Sequence, residues 1–319
     1  MRILAWHVHG SWMTSFVQGG HDYLVPVLPD RGPDGAGRAR TFDWPPNVVE
    51  LTPEQLRSAE IDLVVLQRPI ELELFQRWTG RNLGAGGTPA IYVEHNTPRG
   101  DVNDWRHVLA DRADIPLAHV TRFNQAMWDN GSAPAVVIDH GVPDYGYRYT
   151  GELESLAVSV NEPVRRSRVA GTDLAIRIAR EVPVAFYGMG TDQLKERVPV
   201  GLAGVRDVSQ DELHSLLPIH LAYLHPYRWT SLGLSLIEAM TLGMPVLVLA
   251  ATAAPEAVPA TAGLVSSDVD ELAATARRWL ADRDEARACG EAARLHALKY
   301  FGLGRFLDDW NRLLKEVSR

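Results

Sequence analysis

The stretch from Ile219 to Val246 constrains the fold more than any other part of the chain. A largely apolar run, Ile219 to Leu224 with only His220 polar, leads into Pro226 and a polar turn, after which apolar residues recur at helical spacing at Leu232, Leu236, Ile237, Ala239 and Met240. That pattern reads as a buried strand, a turn and an amphipathic helix, the repeating unit of parallel α/β sheets. Free backbone N–H groups at Ser231, Leu232, Gly233 and Leu234 are expected at the helix start, where unpaired donors and the positive end of the dipole favour an anion. Gly233 would allow a ligand close to the backbone because it has no Cβ, and Glu238 is expected about two turns into the helix. Any strand–turn–helix of a parallel sheet shows the same outline, with its glutamate a solvated helix residue, so the rest of the chain has to decide.

At 319 residues, 46% hydrophobic and 23% charged, the chain is long enough for two domains, each with a core of its own. β and α patterns alternate twice. Apolar runs at Ile3 to Val8, Tyr23 to Leu28, Leu63 to Leu66, Ala90 to Val93, Leu117 to Val120 and Ala135 to Ile138 read as buried strands of a first domain over 1–150. The irregular Gly- and Pro-rich segment Pro29 to Pro46 reads as an exposed, mobile loop. In a second domain over 151–300, Leu156 to Val160, Val182 to Tyr187, Ala222 to Leu224 and Pro245 to Leu249 read as strands, with helices over Asp270 to Asp282 and Asp284 to Lys299. A last helix within 301–319 could return to the first domain. The expected fold is α/β, two doubly wound, Rossmann-like domains facing across a cleft, with ligands at the carboxyl ends of the strands.

Within the leading segment, Pro226, Gly233, Leu234, Glu238, Ala239, Met240, Gly243, Pro245 and Val246 match in one register the donor-site signature of the GT-B-fold glycosyltransferases of family 4 (glycosyl transferase group 1), which the segment resembles. Glu256 falls where that family often has a further glutamate, and Thr230 stands in place of the signature's first glutamate, the one that touches the donor sugar. The resemblance extends along the chain. Gly20-His21-Asp22 is similar to the family's G-H-x-V element, Tyr92-Val93-Glu94-His95 to its strand ending in histidine, and Asp139-His140-Gly141-Val142-Pro143-Asp144 to its P-N-G-V-D element, with His140 replacing asparagine. Phe186-Tyr187-Gly188-Met189-Gly190 resembles its G-x-G turn.

The resemblance implies a retaining sugar transfer from a nucleotide-diphosphate sugar to a small-molecule or saccharide acceptor, with the nucleotide sugar as co-substrate and no further cofactor or metal. A diphosphate leaving group gains charge as the glycosidic bond breaks, so cations should surround it. The basic turn Val164 to Asp173 resembles the family's G-R-L-x-x-x-K-G turn: aligned on Gly171, Arg165 takes the arginine position and Ala170 that of the lysine, with Arg166 or Arg168 as substitutes. A solvated basic turn is the other reading. Glu238 would hold the ribose hydroxyls and Thr230 would face the sugar. His95 would line the site near the transferred sugar, unless it is a hydrogen-bonded structural residue, while His9, Gly10, Ser11 and Arg99 are candidates for the acceptor side.

Other classes find no support. No G-x-G-x-x-G follows the first strand, and neither G-x-x-x-x-G-K-[ST] nor G-x-S-x-G occurs. The D-x-D strings at Asp268 and Asp282 read as helix caps, so no metal is expected. The lone Cys289 excludes an internal disulfide, and a net charge of −8 without a long basic run argues against nucleic acid. With no long apolar run and a start too short and polar for a signal peptide, the protein is expected in the cytoplasm. The alternative function is a protein that binds a nucleotide sugar without transferring it, or an epimerase or weak hydrolase on the same fold.

Overall fold

The structure, a computed structural model, describes every residue except Phe42 and Pro199; Phe42, within the expected Pro29 to Pro46 loop, therefore lies outside the described residues. The chain divides into two compact units, Met1–Val142 with Leu303–Arg319, and Pro143–Gly302.

The first unit holds a 7-stranded parallel sheet of order β3-β2-β1-β4-β5-β6-β7. Its strands are β1 (Arg2–Ala5), β2 (Asp22–Pro26), β3 (Val48–Leu51), β4 (Leu63–Leu66), β5 (Ala90–Glu94), β6 (Leu117–His119) and β7 (Ala135–Val137). Helices α1 (Gly10–Phe16), α2 (Pro53–Ser58), α3 (Ile70–Thr79) and α4 (Arg122–Met127) join them. β4 is inaccessible along its whole length, which is why its sequence is continuously apolar rather than alternating. β1 ends at Ala5, short of the expected Val8, because Trp6 onward turns out of the sheet. The Pro29 to Pro46 segment is irregular as expected but pinned. Arg31 pairs with Glu50 at 2.8 Å, Arg38 donates to the Pro45 carbonyl at 3.1 Å, and the buried Trp44 donates Nε1–H to Thr14 Oγ1 at 2.9 Å.

The second unit holds a 6-stranded parallel sheet of order β10-β9-β8-β11-β12-β13. Its strands are β8 (Leu153–Ser159), β9 (Val184–Tyr187), β10 (Leu202–Arg206), β11 (His220–His225), β12 (Val246–Leu249) and β13 (Gly263–Ser266). The helices are α5 (Ser167–Ala170), α6 (Thr172–Ala179), α7 (Gln210–Leu216), α8 (Leu234–Thr241), α9 (Ala254–Ala257), α10 (Val269–Ala281) and α11 (Arg283–Phe301). Three strands carried no expectation: β3, β10 and β13 are edge strands whose residues are largely half-buried or exposed, so their hydrophobic signal is weak. The chain enters this unit at Pro143, ahead of the expected Thr150, because Arg148 N–H bonds the Leu242 carbonyl at 3.0 Å and Thr150 N–H the Pro218 carbonyl at 3.0 Å. Both D-x-D strings cap helices: Asp268 accepts from Asp270 N–H at 2.9 Å and Asp282 from Glu285 N–H at 3.0 Å.

The C-terminal helix, Leu303–Val317, belongs to the first unit and buries Phe306, Trp310, Leu313 and Leu314, spaced as one helical face. Trp310 meets Trp12 edge-on at 5.5 Å and Phe16 at 5.1 Å. A side chain at Gly141 would collide with Phe306, and Arg305 caps the approach by donating to the Asp139 carbonyl at 3.0 Å. Truncating Trp310 to alanine should therefore cost about 3–5 kcal/mol of unfolding free energy. Urea denaturation measures it, and a loss under about 1 kcal/mol would show that this helix does not complete the core.

Candidate functional site

Each sheet reverses its winding at one strand pair, and in an open α/β sheet the carboxyl ends at that point form the natural ligand crevice. In the second unit the pair is β8 and β11. The turn after β8 carries Glu162 in the left-handed region, φ 54°, then Arg165, Arg166 and Arg168. It is seated on the turn after β11. Gly171, φ 70°, touches the Pro226 carbonyl so closely that a Cβ would overlap it; Arg228 N–H bonds the Val169 carbonyl at 2.9 Å; and Thr172 Oγ1 donates to the Pro163 carbonyl at 2.8 Å. Gly188, φ 127°, brings the turn after β9 against the same region: its missing Cβ would lie 2.5 Å from the Val160 carbonyl, and Met189 N–H bonds Asn161 Oδ1 at 3.0 Å.

The three arginines differ. Arg165 is exposed and its Nε–H donates to Glu162 at 2.8 Å; Arg168 is exposed and pairs with Asp173 at 2.8 Å. Arg228, absent from the sequence reading, grips both oxygens of Asp173 at 2.7 and 2.8 Å, and together with Arg168 it holds that carboxyl below the usual range. Arg166 is half-buried, near enough to Tyr227 to bear on its phenol, and its guanidinium makes no hydrogen bond among the described residues.

Beneath the β11 turn lie the rings of Tyr223, His225 and Tyr227, with His225 stacked on Tyr227 at 4.7 Å. Gly233 is needed here for a reason other than ligand approach: a Cβ on it would lie 2.5 Å from His225 Cε1. α8 begins at Leu234, so the open donors of its first turn are shifted from those expected. Ser231 and Leu232 are buried, while the N–H groups of Gly233, Leu234 and Ser235 make no hydrogen bond among the described residues. Glu238 consequently lies one turn into the helix rather than two, and it is buried rather than solvated, at 2% exposure. Its Oε2 accepts from Gln210 Nε2 at 2.7 Å and lies 3.4 Å from His214 Nε2, while Oε1 is buried without a partner among the described residues. Tyr145 lies 3.9 Å, ring to ring, from His214. Thr230 is half-buried with a hydroxyl that bonds nothing among the described residues, and Glu256 is exposed on α9.

In the first unit the reversal falls between β1 and β4. His9 occupies the N-cap position of α1 without a side-chain cap bond, and Gly10 and Ser11 are the first residues of that helix. His9 and His95 lie ring to ring at 4.1 Å, with Trp12 edge-on to His95 at 5.0 Å. His95, just past β5, bonds Gln67 Oε1 through Nε2 at 3.0 Å. Burial pushes the His9 imidazole down to about 4 and that of His95 well below its ordinary value, with neighbouring histidines adding to the latter. Both rings are therefore neutral near pH 7. Arg99 is exposed on the following loop.

Residues 203–296, which include Thr230, Gly233 and Glu238, match the family described as glycosyl transferases group 1. The second unit carries a group 1 glycosyltransferase segment. By structure the chain is similar to HepE from Anabaena in complex with UDP, at a TM-score of 0.72 and 16% identity over 99% of this chain and 100% of that one. It is also similar to sucrose-phosphate synthase from Thermosynechococcus elongatus, with 0.72 and 14% over 99% and 98%, and to AviGT4, a glycosyltransferase involved in avilamycin A biosynthesis, with 0.67 and 17% over 100% and 98%. The two parallel Rossmann-like sheets are those of the GT-B fold. No curated protein matches the sequence.

The matched group 1 segment begins after Arg165, Arg166, Arg168, Gly171 and Gly188, so geometry alone joins those residues to it. Gln210, His214 and Arg228 were missed because each becomes significant only through a partner distant in sequence, and His225 because its burial is not written in its neighbours. Two signals were available: His225 closes the strand of the leading segment, and Ser209 with Glu212 forms a capping box that announces α7 just ahead of it.

The buried histidines of this GT-B chain give it a pH signature. Burial holds His220 at about 4 and His225 at about 3, each 2% exposed, against 6.5 unfolded. Below pH 6.5 the unfolded chain binds protons that the folded one refuses, so their stabilisation is complete above 6.5 and is lost as pH falls toward 4. The slope should approach about 1.4 kcal/mol per pH unit for each histidine. Urea midpoints between pH 7 and 4 test this, and an unchanged slope in His225→Gln would show that His225 does not carry it.

Proposed function

We propose that the protein is a glycosyltransferase that moves a sugar from a nucleotide-diphosphate donor, a UDP-sugar first among those to test, to a small-molecule or saccharide acceptor. Glu238 carries the reading. A buried carboxylate oxygen without a donor is costly, and a ribose presents two hydroxyl donors side by side, so a nucleoside in this position would satisfy what the protein leaves open. The open N–H groups of Gly233, Leu234 and Ser235 and the positive end of α8 suit a diphosphate, and Arg166 adds an uncommitted cation. These groups favour the charge that develops on the departing diphosphate, and the proposal requires no metal ion. Thr230 faces the sugar with one hydroxyl in place of a carboxylate. In the first unit His95, with His9, Gly10, Ser11 and Arg99, serves the carbohydrate side of the reaction. The choice of UDP draws support from HepE, crystallised with UDP and with UDP-glucose.

Retention of configuration follows from the resemblance to family 4 and belongs to the proposal. The specific observation that favours a binder without transfer is the pair Thr230 and Ala170, where the family places glutamate and lysine.

A thermal-shift panel of UDP, UDP-glucose, GDP and ADP tests the donor site. A nucleotide at about a hundredfold over its dissociation constant stabilises by about 2.7 kcal/mol. UDP is expected to raise Tm of the wild type and to lose that effect in Glu238→Ala and Arg166→Ala, while Arg165→Ala retains most of it. No shift with any nucleotide would remove the reading, and binding without transfer to any of a panel of saccharide acceptors would select the binder.

A further inference from the structure

The amide of Gln67, at the carboxyl end of β4 and 2% exposed, has its orientation fixed by neighbours that can only accept. Its Nε2 lies 2.7 Å from the Trp6 carbonyl and 3.5 Å from Met13 Sδ, so the amino group must face them. Its backbone N–H is held by Glu71 Oε2 at 2.6 Å, which anchors the residue. Oε1 is then left to face His95 Nε2 at 3.0 Å, and a carbonyl oxygen cannot donate. The proton of that bond must come from the imidazole.

We propose that Gln67 is a positioning residue that locks His95 in the Nε2–H tautomer, so that His95 meets its ligand with Nδ1 as a bare hydrogen-bond acceptor. The groups around the ring agree. His9, His140 and the edge of Trp12 surround it, and Glu94, the neighbouring carboxylate, is engaged by Asn96 N–H at 2.7 Å and His107 at 3.3 Å. Nδ1 of His95 has no hydrogen-bond partner among the described residues. An acceptor at this position recognises a hydroxyl and rejects a carboxylate, which offers no proton. The identity of the ligand as a donor sugar rests on the glycosyltransferase reading; the tautomer does not.

Long-range 15N–1H correlation spectra of histidine-labelled protein, recorded without ligand, read the tautomer directly. The wild type is expected to show His95 with a protonated Nε2, an unprotonated Nδ1 and a ring proton slow to exchange; Gln67→Leu should make that proton exchange at least tenfold faster. A proton on Nδ1 in the wild type overturns the inference whether or not the variant folds, and so does equally slow exchange in a folded Gln67→Leu. Titration with UDP-glucose and UDP-glucuronate then separates the two readings. At least tenfold tighter binding of UDP-glucose by the wild type, reduced in Gln67→Leu while UDP itself binds within twofold, supports both. No binding of either by a wild type with the expected tautomer overturns the glycosyltransferase reading and leaves the role of Gln67 standing.

Discussion

The contact of Gly171 with the Pro226 carbonyl is the constraint on which the site in the second unit depends. It seats the basic turn after β8 on the turn after β11, at the one place where two neighbouring strands send their chains to opposite sides of the sheet. A left-handed φ and the lack of room for a Cβ act together, so no other residue satisfies both conditions. Once the turns are joined, the backbone bonds from Arg228 to Val169 and the grip of Arg228 on Asp173 follow from proximity. The helix start of α8 and the half-buried Arg166 are thereby held at the carboxyl ends of the same pair of strands.

The same closeness explains why the site concentrates polar groups that water does not reach. The buried Tyr223 and His225 and the half-buried Tyr227 form a ring stack, and Gly233 must lack a side chain for His225 to fit. Glu238 is buried with one oxygen satisfied from α7 and one not. A core designed for stability alone would not leave a carboxylate oxygen and a histidine nitrogen buried without partners. Local cost of this kind, together with the left-handed backbone of Glu162 and of Thr252 after β12, is gathered at the carboxyl ends of the second sheet.

What could be read from the sequence follows the physics of burial. Central strands such as Leu63–Leu66 and Val246–Leu249 are covered on both faces, so their composition announces them. The edge strands Val48–Leu51, Leu202–Arg206 and Gly263–Ser266 are half in solvent and carry no such signature. The helix-and-glutamate motif at Gly233 and Glu238 was legible because its members are close in sequence, yet the burial of Glu238 was not, since it comes from Gln210 and His214 on another helix. His95 was legible as a residue closing a strand. Its tautomer was not, because it is set by Gln67, 28 residues away.

The arginines show how charge can be stored without being committed. Asp173 binds both Arg228 and Arg168, and partial burial makes its pairing with Arg228 a structural brace rather than a free cation. Among the described residues Arg165 is held only by Glu162, in an exposed pair three residues apart, and such pairs contribute about 0–1 kcal/mol. Exchanging that carboxylate for a diphosphate would therefore cost little, but it would also leave Glu162 as a negative charge beside the ligand. Arg166 has no such penalty, since among the described residues it has no bonded carboxylate to abandon. Of the two neighbours, Arg166 is thus the less committed guanidinium at the carboxyl ends of β8 and β11, although the register of the motif points to Arg165.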